Sequence, residues 1–187
     1  RSFRQITNSK TPVNSPDDLK GMVLRPPSNS LYTEYFTACG ATATPMNFSE
    51  VYNALQLNTL DGQENPVDVP ATNNFYEVQK YISGTNHIAD AWVVGMNTAK
   101  LTGLSQNQQD ALRKAAEECQ QWYVDYQAEK DGEMLKLLTD NGMEYNEVPE
   151  DGFQKFVEIS QGLYPKFKEL VANDELFEAT TAFCGKS

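Results

Sequence analysis

The chain has 187 residues, 15 Lys and Arg against 26 Asp and Glu for a net charge of −11, 40% hydrophobic residues and three cysteines. At about 150 residues per domain this is one large domain or one and a part, and a chain of that size buries roughly 70% of its unfolded surface, so a real core is expected. An acidic chain without a basic run has nothing to exchange with a phosphate backbone or an anionic leaflet, which excludes nucleic acid and membrane surface as partners, and no stretch reaches the roughly 18 to 20 apolar residues of a membrane span. The chain opens on Arg1-Ser2-Phe3-Arg4 without an initiator Met and is expected to be a mature or truncated product.

Phe3-Arg4-Gln5-Ile6-Thr7 alternates as a strand does and runs into a polar, turn-rich segment through Asn8–Pro12 and Ser15–Asp18. Gly21-Met22-Val23-Leu24-Arg25 is a short apolar run stopped by Pro26-Pro27, the pattern of a buried strand that ends abruptly. Leu31, Tyr35 and Ala38 then recur at helical spacing, and a short extended piece leads to Pro45-Met46. Asn47-Phe48-Ser49-Glu50 opens a second helix in the manner of a capping box, with Val51, Tyr52, Leu55 and Leu57 as its apolar face. Asp61-Gly62-Gln63-Glu64-Asn65-Pro66 is dense in turn formers, and Phe75, Val78, Gln79 and Ile82 mark a third helix ending at Gly84.

His87–Met96 is the longest strand-like segment, and Ser105-Gln106-Asn107-Gln108 is a second capping box. It starts a helical pattern carried by Leu112, Ala115, Ala116, Cys119, Tyr123, Tyr126, Leu135 and Leu138 to Asn141-Gly142. Unbroken, that helix is about 50 Å long at 1.5 Å per residue, against a mean helix of roughly 11 to 12 residues, and a helix of that length braces more than one unit. Glu144–Val148 suits a short strand, and Phe153, Phe156, Val157, Leu163, Phe167 and Leu170 outline terminal helices. Strand and helix alternating at this spacing is the α/β pattern.

Little in the chain suggests catalysis. There is one histidine, and no G-x-S-x-G, H-E-x-x-H or Walker loop. Cys39, Cys119 and Cys184 are far apart and form no C-x-x-C, so zinc and thioredoxin-type chemistry are not indicated and at most one disulfide can form. Cys39 beside Gly40 reads as a small buried apolar residue, not a nucleophile. No metal or cofactor is expected.

Arg25 is the residue with chemistry in prospect. It ends an apolar strand directly before two prolines, at the carboxyl end of a strand where open α/β sheets take their ligands. A partly buried arginine needs an anionic partner, and its planar fork matches a carboxylate through two parallel hydrogen bonds. That partner is either a ligand or an internal Asp or Glu. Asn65 serves the backbone of its turn or a ligand, Phe48 reads alone as core, and His87 alone as a satisfied structural histidine.

Taken together, Ser15-Pro16-Asp17-Asp18-Leu19-Lys20-Gly21 leading to Arg25, then Pro45–Gln56, Asp61–Pro66, Phe75–Tyr81 and Thr85-Asn86-His87 resemble the solute-binding subunits of tripartite ATP-independent periplasmic (TRAP) transporters, the DctP-like family, from about Phe3 to Leu170. That resemblance implies a periplasmic, two-lobed α/β clamp that delivers a small organic acid to a membrane permease. It implies a ligand carboxylate gripped by Arg25, Phe48 packed on the ligand, Asn65 bonded near the carboxylate, Arg4 as a second arginine in the cleft, and His87 where the chain recrosses the hinge. Residues 1–7 would be hinge and first-lobe strand, 8–86 the second, ligand-binding lobe, and 87–187 the return strand, long brace helix and C-terminal helices. The fold expected is thus a periplasmic-binding-protein-like lobe without the N-terminal part of the first lobe. Apolar surface left bare is expected to drive association into a homodimer or a domain-swapped oligomer. A sensing module without a transport role is the alternative function.

Overall fold

The computed structural model describes residues 2–183. Six strands form one mixed sheet in the order β3-β2-β4-β1-β5-β6: β1 Gln5–Asn8, β2 Val23–Arg25, β3 Thr42–Ala43, β4 Gly62–Asn65, β5 Tyr81–Gly84 and β6 Glu144–Glu147. The helices are α1 Ser30–Ala38, α2 Phe48–Gln56, α3 Asp68–Thr72, α4 Thr98–Thr102, α5 Gln106–Asp140, α6 Glu150–Gly162, α7 Tyr164–Val171 and α8 Asp174–Phe183. β2 runs parallel to β3 and β4, and β5 runs parallel to β6. β1 is antiparallel to both neighbours, pairing Gln5 with Asn65 on one side and Ile6 with Ser83 on the other.

Successive residues of β1 point to opposite faces, and the two faces are chemically different. Ile6 packs with Leu24, Val13, Leu19, Phe36 and Phe156 in a cluster covered by α1 and α6. Thr7 instead donates its hydroxyl to Gln79 Oε1 at 3.1 Å. A second cluster joins Val67, Ala71, Ile82, Leu138 and Met143, so α3 and the last turns of α5 close over β5. The third, Val51, Leu55, Leu60 and Phe75, seats α2. Close approaches are made by glycine: a Cβ at Gly152 of α6 would meet the Asn14 carbonyl at 1.8 Å, and one at Gly62 would meet the Thr7 carbonyl at 2.4 Å. Asn146 completes the fit, its amide donating to the Val13 carbonyl at 3.0 Å and accepting from Ser83 Oγ at 2.7 Å.

The structure departs from the sequence expectations at four places. Asp61–Pro66 is not a turn: Gly62–Asn65 is a strand buried at every residue, inside the sheet. Its polar side chains are satisfied by one another and by Arg4, which hydropathy cannot show. The third helix does not form. Asn74 takes φ 55°, a single 3-10 turn spans Phe75–Glu77, and Tyr81–Gly84 is strand β5. Here the open edge of β1 captures the backbone, with Lys80 N–H donating to the Asn8 carbonyl at 3.0 Å, and tertiary pairing overrides helical spacing.

Asn47 begins α2, but its side chain makes no cap; the Glu50 N–H bonds the Asn47 backbone carbonyl at 3.1 Å. Finally, His87–Met96 is not a strand. Ala89 forms one isolated bridge with Phe3, and Trp92, Val93, Val94 and Met96 are exposed. A strand needs a neighbouring strand along its length, and among the described residues no ladder extends this run beyond that bridge.

The long helix is α5, with 35 residues. Gln108 Oε1 accepts from the Ser105 backbone N–H at 3.0 Å and from its hydroxyl at 3.1 Å. Only the C-terminal part is packed, through Met134, Leu135 and Leu138, while Leu112, Trp122 and Val124 are exposed. No helix among the described residues is long and apolar enough to cross a membrane. Cys39 is buried and Cys119 exposed, both as free thiols; Cys184 lies outside the described residues.

Candidate functional site

β2 and β4 run parallel and β1 antiparallel to β4, so the carboxyl ends of β2 and β4 and the start of β1 fall at one end of the sheet. That end gathers Arg25, Asn65 and Arg4, the first two as last residues of their strands and the third one residue before its strand begins. All three are buried. His87 arrives from the segment after β5, and Phe48 from the first turn of α2. The five residues named from sequence are therefore brought together, in two different electrostatic settings.

Arg4 is fully engaged inside the protein. Its Nε donates to Glu64 Oε2 at 2.5 Å and its Nη2 to Glu64 Oε1 at 2.8 Å, a two-pronged pair between a guanidinium and a carboxylate that are both buried. Nη2 also reaches the Glu64 carbonyl at 2.9 Å and Asn65 Oδ1 at 3.0 Å, and Nη1 reaches Asp90 Oδ2 at 3.2 Å. The Tyr32 ring lies 5.3 Å from the guanidinium. Burial works against the charge of Arg4, but the hydrogen bond and attraction to Glu64 outweigh it and its pKa stands raised.

Glu64 has a second partner. His87 Nε2 lies 3.1 Å from Glu64 Oε2 and its Nδ1 lies 2.7 Å from Thr85 Oγ1. A ring donating to the carboxylate and accepting from the hydroxyl satisfies both nitrogens. The imidazole is fully buried, stacked on Tyr35 at 6.2 Å and edge-on to Phe36 at 5.2 Å. Asn65 is held from the other side, its Nδ2 donating to Gln63 Oε1 at 2.5 Å. Gln63 Nε2 donates to Thr7 Oγ1 at 2.8 Å, Thr7 to Gln79, and Gln79 Nε2 to Ser9 Oγ at 2.8 Å. This relay across the sheet fixes the Asn65 amide with its oxygen toward Arg4.

Arg25 has no such partner. Its Nε and Nη2 donate to one acceptor, the Met46 backbone carbonyl, at 3.1 and 2.7 Å. No carboxylate among the described residues lies within ion-pair distance of it. Burial lowers its pKa from the ordinary value; attraction to Glu64 offsets part of that, and repulsion from Arg4 adds to it. A carbonyl on the Nε edge leaves the terminal edge, Nη1 with Nη2, as the free fork. The Phe48 ring centroid lies 5.9 Å from the guanidinium carbon, and the residue is 42% exposed. The fork and the ring thus form one surface, cationic beside aromatic. Two concavities lie away from it, one of about 470 Å³ lined by Tyr52, Gln56, Glu77 and Lys80 and one of about 390 Å³ lined by Asp17, Lys155 and Glu158.

Glu64, Asp90 and Tyr32 were not singled out in the sequence. One signal pointed to Glu64: an arginine in a strand pattern, as Arg4 is, needs a carboxylate when the strand is internal. Asp90 and Tyr32 carried none.

Comparison with known proteins gives a consistent result. The description "Bacterial extracellular solute-binding protein, family 7" (DctP) matches residues 1–170. The 2,3-diketo-L-gulonate-binding periplasmic protein YiaO of Escherichia coli K12 is 37% identical over 142 residues, covering 76% of this chain and 43% of that protein. The sialic acid-binding periplasmic protein SiaP of Vibrio cholerae is 35% identical over 161 residues, covering 86% of this chain and 49% of that protein. In structure, the chain is similar to a TRAP periplasmic solute-binding protein from Sulfitobacter sp. NAS-14.1 with bound β-D-galacturonate, at a TM-score of 0.87 and 29% identity over 96% of this chain and 58% of that one. The chain spans about half the length of the curated relatives it matches.

Proposed function

The chain belongs to family 7 of the bacterial extracellular solute-binding proteins, and from that membership we propose that it forms the ligand-gripping lobe of a periplasmic TRAP solute receptor for a carboxylate-bearing small molecule, with sugar acids the first candidates. The observation that carries this reading is Arg25: a buried guanidinium pinned along its Nε edge by the Met46 carbonyl, with its terminal fork unpaired. A ligand carboxylate accepting from Nη1 and Nη2 would supply the anion that burial demands. Phe48 would cover the adjoining apolar part of the ligand, and Asn65, one face of its amide already fixed, would border the carboxylate. Arg4, Glu64 and His87 hold that floor in place.

The ligand would be bound and released unchanged, by closure of this lobe against the rest of the protein about the crossings at Phe3–Arg4 and Ile88–Asp90, and handed to membrane permease subunits. The test is isothermal titration of the native protein with galacturonate, galactonate and related acids. Arg25→Ala is expected to weaken binding by about 2 to 5 kcal/mol, roughly thirtyfold to several thousandfold, with Arg25→Lys recovering little because a point charge lacks the fork. Unchanged affinity in Arg25→Ala would overturn the assignment.

A further inference from the structure

One side of α1 is aromatic and is turned toward the site. Tyr32, Tyr35 and Phe36 stand at positions i, i+3 and i+4, which share a helix face. Tyr35 and Phe36 are buried against the His87 ring, and one turn earlier the Tyr32 ring lies 5.3 Å from the Arg4 guanidinium carbon. The start of the helix is fixed by Asn29, four residues after Arg25, whose side chain accepts from the Leu31 N–H at 2.9 Å. Tyr32 is thus held at the rim, partly exposed where Tyr35 is 5% exposed.

The two tyrosines differ at the hydroxyl. That of Tyr35 is hydrogen-bonded to Cys39, as a buried phenol requires. The hydroxyl of Tyr32 makes no hydrogen bond among the described residues. Burial, with Glu64 and Asp90 nearby, raises its pKa against the pull of Arg4, so at neutral pH it is an uncharged group that can both donate and accept. Resting on the carboxylate reading above, we propose that Tyr32 is a specificity residue of this site, its hydroxyl hydrogen-bonding a hydroxyl of the bound ligand, so that polyhydroxy acids are held more tightly than their deoxy counterparts. A carboxylate on the Arg25 fork would lie beside Asn65, whose Oδ1 accepts from Arg4 Nη2 at 3.0 Å, and Tyr32 covers a face of that same Arg4. The carbon chain of a sugar acid leaving the fork would then pass between two rings, Phe48 beside Arg25 and Tyr32 beside Arg4. Phe48 offers only carbon and hydrogen and takes apolar surface. Tyr32 offers the same ring with a polar tip.

The experiment is a double cycle between protein and ligand. Tyr32→Phe keeps the ring over Arg4 and removes only the hydroxyl, and its thermal unfolding midpoint without ligand should match that of the native protein. Titration calorimetry on both proteins uses galactonate, galacturonate, glucuronate and erythronate, then the monodeoxy forms of whichever binds most tightly, with succinate as an acid that carries no hydroxyl. The tightest sugar acid is expected to bind Tyr32→Phe about threefold to tenfold more weakly than the native protein. One of its monodeoxy forms is expected to bind the two proteins equally, which identifies the hydroxyl that Tyr32 reads, and any affinity for succinate should be the same in both. Equal affinity of the sugar acid for both proteins, or an equal loss for the sugar acid and all its monodeoxy forms, overturns the role of Tyr32, while sensitivity of that binding to Arg25→Ala keeps the carboxylate reading. Binding of succinate alone likewise overturns the first and keeps the second. Silence across the panel overturns both.

Discussion

At the scale of single residues, the site rests on the contrast between an arginine that is neutralised and one that is not. Glu64→Ala strips Arg4 of its two-pronged partner, leaving it buried with Asp90 alone as a carboxylate, and is expected to cost about 3 to 5 kcal/mol, read as a lower midpoint in urea unfolding. Cys39 gives a second residue-scale expectation. Burial pushes its thiol from 9.0 up to about 12, so above pH 9 the unfolded chain loses a proton that the folded chain keeps until about pH 12, and stability falls as pH rises through that window. Urea unfolding at pH 8 and pH 10 should show a loss in the native sequence that Cys39→Ala reduces; in the folded protein, iodoacetamide should label the exposed Cys119 and spare Cys39. The sequence made Arg25 conspicuous because an apolar run and two prolines frame it. Glu64 sat unremarked in Asp61–Pro66 because a polar segment between turn formers looks the same whether it is solvated or buried, and the partner that buries it lies sixty positions away.

At the scale of elements, the burden carried by one helix differs sharply along its length. Leu138 in the last turns of α5 is fully buried against Ile82 and Met143, whereas Leu112 near its start is 45% exposed. Leu138→Ala is therefore expected to cost about 2 to 5 kcal/mol and Leu112→Ala to stay within about 0.5 kcal/mol in the same unfolding assay. Gly152→Ala should destabilise strongly despite favouring helix, since its new methyl would overlap the Asn14 carbonyl. The helices α1, α2 and α5 were legible from spacing and end signals, since those are local. Strand β5 was not, because Phe75, Val78 and Ile82 fall at helical spacing by coincidence: the first two belong to the cluster under α2 and the third to the cluster under α5. Only the presence of β1, distant in sequence, decides the matter.

For the molecule as a whole, the cores sit against the sheet, and the N-terminal stretch of α5 with residues 91–97 stands outside them. Amide hydrogen exchange should divide the chain accordingly, with Ile6, Thr7, Glu64 and Ile82 slowest and Gln109 to Gln121 exchanging orders of magnitude faster, as expected where buried contacts are few. The α/β class was readable from the alternation of segments, but the mixed sheet was not, because direction and neighbour order arise from pairings no local pattern encodes. The strand order has a consequence for how the chain acquires its structure. β1 is the earliest in sequence of these six strands, yet it lies between β4 and β5, whose residues Asn65 and Ser83 come much later. Nothing between β1 and β4 can flank it, so β1 waits for partners that lie more than fifty residues further on. Loops this long must close before the central pairing is rewarded, which is expected to slow folding relative to a sheet of neighbouring hairpins. Until Tyr81–Gly84 is available, β1 lacks the second of its two neighbours and the centre of the sheet stays open.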